Sequence, residues 1–360
     1  MSGLTVLVAG AEMLVRGASK LATRLGISPV VIGLTIVAFG TSSPEMAVSL
    51  GAAWSGQTDL VVGNAVGSNI FNILLILGIS ALITPLVVHQ RFLWVDVPIM
   101  IGSCGLLWLL VADKTLSRAD GLFLFSGLVG YTFLALRLAG RETRAVEEEY
   151  AEAVVGKAAA AKGYVRPVML IGLGLVLCVV GSRWMVTGAV SVAQAAGLSE
   201  LVIGLTIVAA GTSLPEVATS IMSAVRGQRD IAVGNVIGSN IFNVFGILGI
   251  SSLTAPGPIV VSPAALSFDV PVMTAVALAC LPVLFTGHVI SRWEGGILFS
   301  YYVIYLGYLI MAAAEHDGAK ALGGATMWFV IPLTIAALAF SVLGGIRSRV
   351  YETKTNQEPT

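Results

Sequence analysis

Gly40-Thr41-Ser42-Ser43-Pro44-Glu45 and Gly211-Thr212-Ser213-Leu214-Pro215-Glu216 are near-copies set inside apolar runs, and their reading decides the fold. A carboxylate in the middle of a run that otherwise reads as membrane-spanning is costly to bury and marks a functional position. Two of them, in matching positions of two matching halves, point to one shared polar site for a cation. Glu216 lies 171 residues beyond Glu45, and the same offset relates Gly10 to Gly181, Asp59 to Asp230 and Asn72 to Asn243. Residues 32–38 recur unchanged as 203–209, and 67–72 as 238–243. A register held without gaps over about seventy residues is a duplicated unit, not an accident of composition.

Outward from these motifs, the 360-residue chain is 56% hydrophobic and only 11% charged, with a mean hydropathy of +0.92. Soluble domains carry about a quarter charged residues, so this composition describes an integral membrane protein whose partner is the lipid bilayer. Net charge is zero, with no basic surplus calling for nucleic acid. Apolar segments of bilayer-crossing length are predicted at 4–25, 28–53, 60–83, 92–112, 118–139, 168–196, 199–224, 231–253, 267–286, 292–312 and 326–345. Arg16, Lys20 and Arg24 interrupt the first span at a spacing of four, which places them on one helix face reaching an interface. Residues 138–166 mix charge with alanine and read as a solvated helix joining the halves, and 353–360 read as a polar tail. The N-terminus lacks a secretory cleavage pattern. Cys104, Cys178 and Cys280 are widely separated within apolar segments and read as packing residues.

Lys and Arg placement sets orientation. With the N-terminus outside and the C-terminus cytoplasmic, sixteen basic residues fall inside against three outside, Lys114, Arg118 and Lys320. Five spans separate the two copies, an odd number, so the halves insert in opposite senses. The expected fold is an all-α polytopic membrane protein of two inverted five-helix repeats plus an extra C-terminal transmembrane helix. Its units would be 1–139 (first repeat), 140–166 (cytoplasmic linker), 167–312 (second repeat) and 313–360 (extra helix and tail). Inverted repeats bind substrate ions near the membrane midplane, at the repeat interface.

Ala38, Thr41, Ser42 and Glu45 share one helix face by their i, i+3, i+4, i+7 spacing, as do Ala209, Thr212, Ser213 and Glu216. Pro44 crowds the carbonyl of Gly40 and Pro215 that of Gly211, so each helix is expected to break one residue before its carboxylate and to free carbonyls for a cation. Asn64, Ser68 and Asn72 line another face every four residues, matched by Asn235, Ser239 and Asn243. Gly63 and Gly67, with Gly234 and Gly238, form GxxxG pairs that let a helix approach closely. Asn69 and Asn240 point away from this face and are expected to satisfy a neighbour's broken backbone. All the donors are oxygens, which suits a hard cation such as calcium and not zinc, copper or iron. His89, His288 and His316 fall at loop positions and read as surface residues. Two ionised carboxylates at low dielectric demand neutralisation by one divalent cation, two protons or several sodium ions. An empty site would therefore resist changing sides, giving obligatory exchange instead of leak.

At these motifs the chain resembles the prokaryotic sodium/calcium exchanger membrane family of the cation/calcium antiporter superfamily, over roughly 10–83 and 181–253. The resemblance implies one calcium site built by Thr41, Glu45, Thr212 and Glu216. It implies flanking sodium sites using Ala38, Ser42, Ser68, Asn72, Ala209, Ser213, Ser239 and Asn243, with the first and sixth spans sliding across the rest. It also implies a prokaryotic inner-membrane location. Relatives that include a potassium-dependent branch carry Asp where Asn243 stands, so potassium transport is not expected. The eleventh span exceeds the family's usual ten. The function expected is electrogenic calcium/sodium antiport without a cofactor, with calcium/proton exchange as the alternative and a cation channel as the alternative of another class. No Ser-His-Asp set or HExxH motif suggests an enzyme.

Overall fold

In the computed structural model, which describes residues 2–154, 164–195, 209–285, 288–314, 318–326 and 331, the described chain is helical apart from short connections and four two-residue strands. We label the helices α1 (Ser2–Leu25), α2 (Pro29–Thr41), α3 (Ser43–Trp54), α4 (Thr58–Ile83), α5 (Phe92–Asp113), α6 (Arg118–Val154) and α7 (Val165–Ala195). The second half continues with α8 (Ala209–Gly211), α9 (Leu214–Val225), α10 (Arg229–Thr254), α11 (Ala265–Val283), α12 (Arg292–Ala313) and α13 (Gly318–Ala325). Among the described residues, seven helices are long and apolar enough to cross a membrane, and the bent pair α2–α3 makes eight. α1, which carries Glu12, Arg16, Lys20 and Arg24, forms as predicted but is not one of them. Residues 199–208 of the seventh predicted span and nearly all of the eleventh, 326–345, lie outside the described residues. α6 runs unbroken into the polar segment as far as Val154, and residues 155–163 of that segment lie outside the described residues.

Burial locates the centre of the molecule. α10 is buried along its whole apolar stretch and α4 along 72% of it, whereas α12 is buried along only 11% and faces outward. The two motif-bearing helices therefore form the axis around which the others pack.

α1 and α7 run antiparallel with their backbones almost touching. A Cβ built on Gly10 would sit 2.6 Å from the Cys178 backbone nitrogen, and one on Gly174 would sit 2.6 Å from that of Leu14. Gly3 and Gly17 meet Met185 and Ile171 in the same way. Small residues at every second turn are what allow such an approach between apolar helices.

Contacts recur with the halves exchanged. Strand β1 (Leu86–Val87) pairs with β4 (Val289–Ile290), and β2 (Thr115–Leu116) pairs with β3 (Ile259–Val260), both antiparallel. Gly78 of α4 packs on Gly295 of α12, and Gly249 of α10 packs on Gly121 of α6. Exchange of partners of this kind is what an approximate two-fold relation between halves produces. Away from the centre, Tyr131 donates to Asp96 Oδ1 at 3.0 Å while Arg91 lies 3.4 Å from Oδ2, and Tyr305 approaches Asp269 at 3.5 Å in the other half.

Candidate cation site

The helix breaks fall at Ser42 (φ −80°, ψ 6°) and Ser213 (φ −87°, ψ 5°), and α2 meets α3 at a bend of 45°. Each break lies three residues before its carboxylate, not one as the sequence suggested. The reason is that Pro44 and Pro215 take early positions in the new helix, where a missing N–H costs nothing and the fixed φ is already helical. The chain must turn upstream of the ring. Glu45 and Glu216 are thereby held in the first turns of α3 and α9, where the helix dipole favours negative charge.

Both carboxylates are buried, each at 1% exposure. Ser42 Oγ donates to Glu216 Oε1 at 2.8 Å, and Ser213 Oγ donates to Glu45 Oε1 at 2.8 Å. Each acidic side chain is thus tied to the break of the opposite half. The second oxygen of each, Oε2, is buried with no partner among the described residues. Ser239 Oγ lies 3.1 Å from Ser42 Oγ, and Ser68 Oγ lies 3.3 Å from Ser213 Oγ, which brings α4 and α10 to the same centre.

Thr41 Oγ1 is within 3.1 Å of both the Val37 carbonyl and Asn235 Oδ1. Asn235 donates to Ser220 at 3.0 Å, and Asn64 donates to Ser49 at 2.9 Å and to the Glu45 carbonyl at 3.1 Å. Thr212 Oγ1 is buried without a partner among the described residues. Asn72 and Asn243 each open a π-helical turn, residues Asn72–Leu77 and Asn243–Leu248, a distortion frequent at functional sites. Their amide nitrogens donate to Asn240 Oδ1 at 3.1 Å and Asn69 Oδ1 at 3.0 Å, leaving both Oδ1 atoms buried and unpartnered among the described residues.

The sequence-derived residues Thr41, Ser42, Glu45, Ser68, Asn72, Ser213, Glu216, Ser239 and Asn243 all belong to this buried polar region. Ala38 is buried beside them, its carbonyl accepting from the Ser42 backbone at 3.0 Å. Ala209 begins α8. The Gly211 carbonyl accepts from Ser182 of α7 at 2.6 Å. Gly40 and Gly211 press on α7, where a Cβ would fall 2.7 Å from Leu175 Cδ1 and 2.5 Å from Val186 Cγ2. Gly234 and Gly238 do admit a helix, since a Cβ on Gly238 would sit 2.6 Å from the Leu34 carbonyl oxygen. Among the described residues nothing lies within 4 Å of a Cβ built on Gly63 or Gly67.

Asn69 and Asn240 are more central than the sequence suggested. Asn69 does reach a backbone carbonyl, that of Asn240, at 3.3 Å, but its oxygen serves Asn243. Met100 and Met273, whose sulfurs meet these amides, carry no mark in sequence beyond lying in apolar runs. Among the described residues no group of three or more His, Cys, Asp or Glu could hold a metal, so the two carboxylates depend on hydroxyl, amide and carbonyl oxygens to complete a shell. An all-oxygen centre of this kind fits a hard cation.

A multi-pass helical membrane protein with a doubly acidic, oxygen-lined centre between its halves is the class this fold and site define. The sodium/calcium exchanger protein family signature matches residues 1–137 and 166–311, and the chain belongs to that family. It is 42% identical over 306 residues to a putative antiporter, CaxA, of Alkalimonas amylolytica, covering 84% of this chain and 95% of the relative. It is 36% identical over 335 residues to the sodium/calcium exchanger MaX1 of Methanosarcina acetivorans, again covering 84% and 95%. The solved sodium-calcium exchanger NCX_Mj, soaked with sodium and strontium, superposes with a TM-score of 0.72 at 30% identity, over 85% of this chain and 95% of that one.

Proposed function

We propose that the protein is a secondary antiporter that exchanges calcium for sodium by alternating access and moves net charge in each cycle. The observation that carries this reading is the reciprocal Ser42–Glu216 and Ser213–Glu45 bonding, with the second oxygen of each buried carboxylate unpartnered among the described residues. Calcium is bound by Thr41, Glu45, Thr212 and Glu216. Sodium ions use Ala38, Ser42, Ser68, Asn72, Ala209, Ser213, Ser239 and Asn243, in sites that flank the calcium site, and because Ser42 and Ser213 hydrogen-bond Glu216 and Glu45, the two ions exclude each other. Residues 1–139 and 167–312 act as inverted repeats, joined by 140–166. The close α1–α7 pair supports a motion in which these two helices travel as one body across the remainder. The N-terminus lies outside a prokaryotic inner membrane. That orientation rests on the Lys and Arg placement, while the β1–β4 and β2–β3 pairs, each joining two loops on one face, support the alternation of the spans.

The test is calcium uptake by purified protein in liposomes under an imposed sodium gradient, compared with an imposed pH gradient. Uptake driven by outward sodium and accelerated by a matching membrane potential is expected. Uptake that ignores sodium and follows the pH gradient would instead mean that Glu45 and Glu216 trade calcium for protons. Single-channel currents without counter-transport would mean a channel.

A further inference from the structure

Asn72 and Asn243 each carry an amide that can present either an oxygen or an N–H to an ion. Only the oxygen can bind a cation. What sets the choice lies one residue further out. Asn240 Nδ2 donates to Met100 Sδ at 3.5 Å, and Asn69 Nδ2 donates to Met273 Sδ at 3.4 Å and to the Asn240 carbonyl at 3.3 Å. A thioether and a backbone carbonyl have no proton to give, so these contacts force the nitrogen of each amide toward them. Asn240 must then turn its oxygen to Asn72, and Asn69 its oxygen to Asn243, at 3.1 and 3.0 Å. Asn72 and Asn243 are obliged to donate, and their oxygens are left facing away, buried and unpartnered among the described residues. All six side chains are at most 1% exposed, so water does not compete for these directions.

We infer that Asn69 and Asn240 are positioning residues for sodium binding: anchored on Met273 and Met100, they lock the amides of Asn243 and Asn72 with oxygen toward the ion. This rests on the reading of Asn72 and Asn243 as sodium ligands. The device works in both halves and crosses between them, because Asn69 orients Asn243 and Asn240 orients Asn72. Losing the lock lets the amide rotate and offer an N–H, which repels a cation without removing any ligand atom.

The test is a double-mutant cycle in liposomes, read as the half-saturating sodium concentration for calcium exchange. A second readout, independent of transport, is sodium-induced thermal stabilisation of the purified protein. Asn69→Leu is expected to raise half-saturating sodium about tenfold, the effect of one lost hydrogen bond. An aspartate at 243 presents oxygen whichever way it turns. In an Asn243→Asp background Asn69→Leu should therefore cost less than about twofold. Met273→Leu keeps volume and apolarity, leaves folding least disturbed, and should act in the same direction by about threefold, again only with Asn at 243. Equal shifts in both backgrounds would overturn the positioning role and leave Asn69 a packing residue. Sodium dependence unchanged in Asn243→Leu would overturn the sodium-ligand reading beneath it.

Discussion

Glu45 and Glu216 each accept one serine hydrogen bond and sit at a helix N-terminus. A hydrogen bond to a charged group contributes about 1.5–3 kcal/mol and a helix N-terminus about 0.3–2 kcal/mol. Several kcal/mol of desolvation oppose these for every buried ion, with mutual repulsion added. The balance fails for two bare carboxylates, and a cation or protons must make it up. Glu45→Gln and Glu216→Gln should accordingly each reduce calcium exchange by at least about 100-fold. The same changes should raise the melting temperature of cation-free protein by a few degrees, since each removes a buried charge. Calcium should stabilise the parent protein and neither variant in a thermal melt. Because the serine bonds are equal at 2.8 Å, Ser42→Ala and Ser213→Ala should raise half-saturating sodium by factors within about threefold of each other. The acidic pair was legible in the sequence because a carboxylate stands out in an apolar run. Met100 and Met273 were not, since a methionine in such a run has no contrast with its surroundings.

At the scale of elements, the α1–α7 pair depends on missing side chains. A Cβ at Gly10 or Gly174 meets backbone, which cannot rotate away, so Gly10→Ala and Gly174→Ala should destabilise by about 1–3 kcal/mol and slow exchange. Gly130→Ala in α6, where nothing lies within 4 Å of the new methyl among the described residues, is the control and should be neutral or stabilising by up to about 1 kcal/mol. Glu12 of α1 also pairs with Arg226 at the end of α9, in a bidentate contact shared with Arg16. The equivalent positions of the other half hold Arg183 and Ser55, so the tie exists on one side only. Arg226 is 48% exposed, and Glu12→Gln should lower stability by less than about 1 kcal/mol in a denaturation series, well short of Gly10→Ala. Most helices could be read from hydropathy within a few residues. The position of the α2–α3 break could not, because the proline marks a constraint and the chain satisfies it upstream.

For the whole molecule, duplication was the legible feature: a gapless offset of 171 residues from Gly10 to Asn72 needs no structure to be seen. Beyond it the register slips, so that Met273 and Asp269 stand 173 residues after Met100 and Asp96. Their pairing emerged only when contacts were compared across the halves. On the proposed reading, the exchange of partners makes a single centre from two incomplete ones, and binding is then all or none. Equilibrium binding of radioactive calcium to purified protein tests this most directly. The parent chain should bind one calcium ion, and Glu45→Gln or Glu216→Gln alone should abolish that binding. If either variant still bound one ion with near-parental affinity, or the parent bound two independently, the shared site would be refuted.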